Sequence, residues 1–175
     1  MIRKILIANR GEIAQRIGRT ARRMGIKVVA VYSEADRDAP FVCEADEAFL
    51  LGPPPPKESY GNIDAIVAAL KASGADGLHP GYGFLSESEN LVAACLDAGV
   101  TFVGPSVHSM RAMGSKIESK IAMIEAGVPV VPGPVHALEH EDDAVKEADA
   151  IGWPVMLKAS AGGGGIGMAR CKDEK

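Results

Sequence analysis

The clearest chemical potential in this chain lies in a lysine and a run of glycines, Lys158-Ala-Ser-Ala followed by Gly162, Gly163, Gly164, Gly165, Ile166 and Gly167. Without side chains, successive backbone N–H groups can close around phosphate oxygens. A lysine at the preceding strand end adds a point charge to the same anion. Gly162, Gly164 and Gly167 satisfy a GxGxxG spacing, but residues 168–173 do not read as the helix that a dinucleotide site needs. A Walker A loop is excluded too, because no Lys-Ser or Lys-Thr pair follows the glycines. A glycine-rich surface hairpin is the alternative, and the lysine at its base tips the balance toward phosphate. Lys116 is a second cationic candidate. It follows Ser115, which reads as a helix N-cap, so its charge opposes the helix dipole by about 0.3–1 kcal/mol. That placement becomes favourable when an anion is shared between the lysine and the free N–H groups. An exposed lysine tolerated at small cost is the competing reading.

Residues 79–87, His-Pro-Gly-Tyr-Gly-Phe-Leu-Ser-Glu, form the most distinctive stretch. Two glycines and a proline fix an unusual backbone, and Tyr82 offers an amphipathic ring. The stretch follows a short strand, where open α/β sheets put their ligand sites; a rigid turn with a packed aromatic is the alternative. Arg16, Arg19 and Arg23 share one face of the first helix, and Glu12 stands one turn before Arg16. This reads as a solvated charged surface carrying an i,i+4 pair.

The elements that must hold these residues alternate. Short apolar runs at 5–8, 26–32, 45–51, 77–78 and 100–103 read as strands, with amphipathic helices between them. Asn62 opens one helix and Gly74 closes it, while Ser86 with Glu89 suggests a capping box for a helix running to about residue 98. Such alternation predicts a parallel sheet with right-handed crossovers, covered on both faces, over residues 1–105. After Gly104-Pro105 a second unit, 106–175, is expected. It comprises two short helices, the second opened by Ser115 with Glu118 and closed at Gly127, then a proline-bearing connector, a helix over 142–151, and a strand at 155–157 that runs into the glycine loop. This unit reads as incomplete.

Composition sets outer bounds. With 47% hydrophobic and 24% charged residues the chain is globular rather than disordered. A net charge of −4 gives no sign of a nucleic-acid or membrane partner, and no apolar run reaches the roughly 18 residues a membrane helix needs. Cys43, Cys95 and Cys171 are odd in number and far apart, which suits free thiols in a reducing compartment better than disulfides or a zinc site. The first strand begins almost at Met1, leaving no room for a signal or transit peptide. The expectation is a cytoplasmic protein.

Taken in order, five segments carry a family resemblance. Ala8-Asn9-Arg10-Gly11-Glu12-Ile13-Ala14 resembles the ANRGEIA opening of the biotin carboxylase family, and Tyr32-Ser33-Glu34-Ala35-Asp36 the segment that succeeds it. Residues 79–87 resemble the family's HPGYGFLSE signature, Met113-Gly114-Ser115-Lys116 its MGDK-like turn, and residues 158–168 its KASAGGGGxGM loop. The matches cover the whole chain, and their specificity lies in the ordered set.

The resemblance implies a Rossmann-like N-terminal domain followed by the beginning of an ATP-grasp domain. It implies a ligase that uses ATP and bicarbonate to make a carboxyphosphate-type intermediate, then carboxylates the ureido nitrogen of biotin held on a carrier protein. Lys116, Lys158, Gly162, Gly163, Gly164, Gly165 and Gly167 would bind ATP. Tyr82, Gly83 and Phe84 would lie near the biotin pocket, and Arg16 and Arg19 would contribute to a homodimer surface.

The magnesium-holding carboxylates, the general base and the arginines for bicarbonate and biotin occur later in family members. No catalytic residue and no metal ligand is therefore expected here, and the chain alone should be inactive. The implied partners are a biotin carboxyl carrier protein or domain and a carboxyltransferase component, and the compound finally carboxylated is an acyl-CoA, as in fatty acid metabolism, or a 2-oxo acid, selected by another component. Ile166 departs from the family, where many members carry Lys or Arg, so one phosphate-holding cation is missing. Two alternatives remain: a non-catalytic nucleotide-binding or dimerisation module, and another ATP-grasp ligase such as a carbamoyl-phosphate synthase relative. The ANRGEIA and HPGYGFLSE segments argue against the second.

Overall fold

The computed structural model describes residues 1–159 and 167–173. The chain divides into two compact units, Met1–Met110 and Arg111–Lys175.

The first unit is built on five strands, β1 (Lys4–Ile7), β2 (Lys27–Ser33), β3 (Glu47–Gly52), β4 (Gly77–His79) and β5 (Thr101–Phe102), all parallel and ordered β3-β2-β1-β4-β5. Four helices connect them: α1 (Gly11–Arg23), α2 (Pro40–Cys43), α3 (Ile63–Ser73) and α4 (Glu89–Asp97). A β-strand turns successive side chains to opposite faces, and the central strands show it directly. Ile5, Ile7, Val28 and Ala30 pack with Ala14, Ile17, Ala21 and Phe41 of α1 and α2. Leu6, Ala8, Val29 and Val31 pack with Ile66, Leu70, Leu91 and Cys95 of α3 and α4. Both faces are therefore covered, which is why these strands read as continuous apolar runs rather than alternating ones.

Each fully buried aliphatic side chain contributes about 1.5–3 kcal/mol, against roughly 0.2–1 kcal/mol for an exposed ion pair such as Arg22–Glu44. Apolar burial on the two sheet faces, not surface charge, holds this unit together.

Two aspartates pin the amino ends of the strands. Asp46, just before β3, accepts a hydrogen bond from the Val28 N–H of β2 at 2.8 Å. Asp76, just before β4, accepts from the N–H groups of Arg3 and Lys4 at 2.9 Å each. These bonds hold the Asp76 carboxyl below its usual range, led by the Lys4 amide.

The helix ends follow local sequence with one correction. Asn62 caps α3 by accepting from Ala65 N–H at 3.1 Å, and Gly74 closes it at φ +62°. For α4 the cap is Ser88, whose hydroxyl accepts from Leu91 N–H, and not Ser86. Ser86 instead lies within a turn, its N–H donating to the Gly83 carbonyl at 2.8 Å, so helical geometry begins later than the Ser86–Glu89 spacing suggests.

In the second unit, α5 (Val107–Gly114) straddles the division and is followed by α6 (Lys116–Glu125), α7 (Glu141–Ile151) and an antiparallel pair, β6 (Val155–Lys158) with β7 (Met168–Cys171). Ser115 caps α6 by accepting from Glu118 N–H at 3.3 Å. Among the described residues of this unit only Ala148 is fully buried, while Met156, Leu157 and Met168 are exposed. Cys43, Cys95 and Cys171 are free thiols. Burial pushes the Cys95 thiol up to about 11. No helix among the described residues is long and apolar enough to cross a membrane.

Candidate functional site

In an open parallel sheet, ligands gather beyond the carboxyl ends of the strands where the strand order reverses. Here the chain builds outward from β1 to β2 and β3, then returns to the other side of β1 with β4. The switch point lies between β1 and β4, and the segments following these two strands are residues 8–11 and 80–84.

Asn9 joins them. It is 3% exposed, and its amide nitrogen donates to the carbonyl oxygens of Pro80 and Tyr82, 2.7 Å each. Its Oδ1 accepts from the Arg10 N–H at 2.9 Å. Gly81, at φ +66°, lies so close that a Cβ there would sit 2.7 Å from the Asn9 amide nitrogen. Glycine is required twice over, by backbone conformation and by space. The His79 ring accepts from Gly81 N–H at Nδ1, 3.0 Å, and burial lowers its pKa. A neutral imidazole with its proton on Nε2 fits both facts.

The loop these contacts hold presents Tyr82, Gly83 and Phe84, the residues expected at the biotin side. Tyr82 is 60% and Phe84 45% exposed. The Tyr82 hydroxyl donates to the carboxylate of Glu12 in the first turn of α1, and that bond raises the phenol pKa. Glu12 therefore faces the loop. No ion pair joins it to Arg16 among the described residues, which corrects the i,i+4 pairing suggested by spacing.

Behind Phe84 lies a set of residues that sequence reasoning did not single out. The Tyr60 ring stacks on Phe84 with centroids 5.2 Å apart and planes at 26°. Tyr60 is 2% exposed. Its hydroxyl donates to Asp36 Oδ2 at 2.6 Å and accepts from the Ser33 N–H at 3.1 Å. Asp36, 7% exposed, receives the Arg10 guanidinium as a fork, Nε to Oδ2 at 2.7 Å and Nη2 to Oδ1 at 2.5 Å. The Arg10 hydrogen bond holds the Asp36 carboxyl below its usual range, helped by the bond from Tyr60. Burial, then the Asp36 bond, pushes the Tyr60 phenol up to about 12. The Arg10 guanidinium also sits 6.0 Å from the Tyr60 ring centre, within reach of a cation–π contact. Arg10 and Asp36 were already visible inside the ANRGEIA and YSEAD segments; what no local signal gave was their partnership with Tyr60.

The remaining predicted residues fall elsewhere. Arg16 and Arg19 lie exposed on α1. Lys116 is exposed in the first turn of α6, above the Ser115 cap, and Lys158 is exposed at the last position of β6. Gly162, Gly163, Gly164 and Gly165 lie outside the described residues, as does Ile166. Gly167 is described: its carbonyl accepts from Ala159 N–H at 2.8 Å, and at φ +71° a Cβ would stand 2.9 Å from that of Ala159. The β6–β7 ladder thus closes through Ala159 and Gly167, immediately after Lys158. Residues 168–171, which do not read as a helix, form the antiparallel strand β7. An exposed lysine at the mouth of such a hairpin suits an anionic ligand in chemistry and in access.

Known proteins place both units. Residues 1–110 match the model for the biotin carboxylase N-terminal domain. Residues 115–175 match that for the ATP binding domain of the carbamoyl-phosphate synthase L chain. A biotin carboxylase of Halalkalibacterium halodurans is 54% identical over 175 residues, covering 100% of this chain and 39% of that protein. The propionyl-CoA carboxylase alpha chain of Ruegeria pomeroyi is 55% identical over 168 residues, covering 96% of this chain and 25% of that one. Among solved structures, a biotin carboxylase–beta-gamma-ATP complex from Campylobacter jejuni superposes with a TM-score of 0.94 at 50% identity, covering 99% of this chain and 39% of that one. The biotin carboxylase domain dimer of Hydrogenobacter thermophilus 2-oxoglutarate carboxylase, in complex with MgADP, ADP and bicarbonate, gives 0.92 at 45% identity, covering 99% and 38%. The chain thus spans about 39% of the length of the biotin carboxylases it matches. With the N-terminal model matched over 110 residues and the switch-point loop in place, the chain belongs to the biotin carboxylase family.

Proposed function

We propose that this chain forms part of a biotin carboxylase and supplies two pieces of its site, the phosphate-binding lysines and one side of the biotin pocket. The observation that carries this reading is the loop of Tyr82, Gly83 and Phe84, exposed at the switch point of the sheet and tied there by Asn9. In this reading residues 1–105 are the Rossmann-like domain and residues 106–175 begin the ATP-grasp domain. ATP supplies the phosphoryl group that activates bicarbonate. Lys116 and Lys158 hold its phosphates as point charges, Gly162, Gly163, Gly164, Gly165 and Gly167 offer backbone N–H groups to them, and Tyr82 and Phe84 provide an apolar wall for the biotin ring. The chemistry of the donor set suits a polyphosphate: both lysines are exposed, and Gly167 faces Ala159, the residue that follows Lys158.

Phosphoryl transfer depends on positioning and on metal-assisted neutralisation of charge. In this reading the magnesium ligands are carboxylates that lie later in the full-length protein, as the family resemblance implies. The partners are those the family resemblance implies: a biotin-bearing carrier, a carboxyltransferase that takes the carboxyl group onward, and a second copy of the protein contacting Arg16 and Arg19. The assignment of the protein to the cytoplasm and to the carboxylation of an acyl-CoA or a 2-oxo acid belongs to this reading too.

The test is phosphate release with MgATP, bicarbonate and free biotin, on the full-length protein and on the 175-residue chain. The full-length protein should turn over only with bicarbonate, and the chain alone should be silent. Lys116→Ala and Lys158→Ala should each raise the KM for ATP about tenfold, as expected for one lost charge-assisted contact. Indifference of the full-length protein to both substitutions would overturn the phosphate assignment.

A further inference from the structure

Phe84 has φ +39°, and among the described residues it is the one non-glycine residue with a left-handed backbone. A bulky side chain adopts such a conformation only where its surroundings impose it, at about 1–3 kcal/mol. The Phe84 ring stacks on the Tyr60 ring. Tyr60 is fixed at its far end by Asp36 and the Ser33 amide, and Asp36 by the two-pronged grip of Arg10. Arg10 follows β1, Asp36 follows β2 and Tyr60 follows β3. The carboxyl ends of three strands thus converge on one side chain of the loop that follows the fourth.

We propose that Arg10, Asp36 and Tyr60 are positioning residues that set the backbone of Phe84, and through it the affinity of the 82–84 loop for biotin. They act without touching substrate. The proposal rests on the biotin reading of that loop. Asn9 provides an independent tie from the other side of the turn, so weakening the relay loosens Phe84 while the loop stays attached.

The experiment measures KM for free biotin and KM for ATP separately, in the bicarbonate-dependent ATP hydrolysis of the full-length protein. Tyr60→Phe keeps the stacked ring and deletes the hydroxyl; Arg10→Gln removes the charged fork. Each should raise the KM for biotin about five- to tenfold, the size of one lost buried hydrogen bond, and leave the KM for ATP unchanged. Arg10→Lys should recover part of the loss. Asp76→Asn serves as the structural control, because Asp76 makes a comparable set of bonds at the amino ends of the strands, the opposite end of the same sheet; it should leave the biotin KM unchanged. Should Tyr60→Phe fail to fold, the two Arg10 variants, at a half-exposed side chain, carry the test.

If Phe84→Ala raises the biotin KM while Tyr60→Phe and Arg10→Gln do not, the positioning role is wrong and the biotin reading survives. If Asp76→Asn raises it as much as they do, general loosening explains the effect and the proposal falls. If Phe84→Ala itself has no effect on biotin, the reading of the loop fails, and the proposal with it.

Discussion

At the scale of single residues, the turn after β4 is held by a fit between two side chains of opposite kind. Asn9 needs both amide hydrogens to reach two carbonyls, and Gly81 must have no Cβ for Asn9 to come so near. Gly81→Ala meets two penalties: about 1–2 kcal/mol for a left-handed L-residue and about 1–3 kcal/mol for overpacking against the Asn9 amide. The expected loss is roughly 2–5 kcal/mol in urea unfolding of the chain. Gly83→Ala, with the same sign of φ but open space around it, should lose only the first part. Equal losses at the two positions would mean that the Asn9 contact contributes nothing.

At the scale of elements, the helices are positioned by their caps as well as by their apolar faces. The start of α4 decides how long the signature turn is, and Ser88 rather than Ser86 marks it. Ser88→Ala should destabilise the chain by about 1 kcal/mol, the usual worth of a serine N-cap, whereas Ser86→Ala should be nearly neutral. Urea midpoints of the two variants distinguish them, and the reverse ranking would restore the earlier helix start. The physical reason for the later start is the turn itself. Gly83 and Phe84 both carry positive φ, and the Ser86 amide is committed to the Gly83 carbonyl, so the chain is not yet extended where a cap must be.

At the scale of the whole molecule, the carboxylates link stability to pH. Asp36 and Asp76 both titrate below their unfolded value, Asp36 chiefly through Arg10 and Asp76 chiefly through the Lys4 amide. A carboxyl with a depressed folded pKa contributes stability that is fully present above its unfolded value, about 3.9. That stability is lost as pH falls through the folded pKa. The chain should therefore hold its stability from neutral pH down to about 5 and lose it progressively below about 4. Asp36→Asn should flatten this acid limb while lowering stability at pH 7, since the buried partner of Arg10 has lost its charge. Thermal unfolding from pH 7 to pH 3 reads both effects, and an unchanged acid limb would show that Asp36 is not held in its charged form by the fold.

The sequence by itself determined what depends on neighbours in the chain. Apolar runs alternating with amphipathic helices specified a parallel sheet covered on both faces, because strand segments such as residues 5–8 and 28–31 can be continuously apolar only when both sides are buried. Asn62, Gly74 and Ser115 marked helix ends through bonds that span three or four residues, and the ordered segments carried the family. Only the tertiary structure decided which polar groups meet. Glu12 could have paired with Arg16 one turn away, yet it accepts from Tyr82, because the β3-β2-β1-β4-β5 order sets the end of β4 beside the start of α1. Asp36 gains Arg10 and Tyr60, 26 and 24 residues distant, by the same strand order. Hydrogen-bond partners across a sheet are chosen by which strand ends lie side by side, and no local spacing encodes that choice.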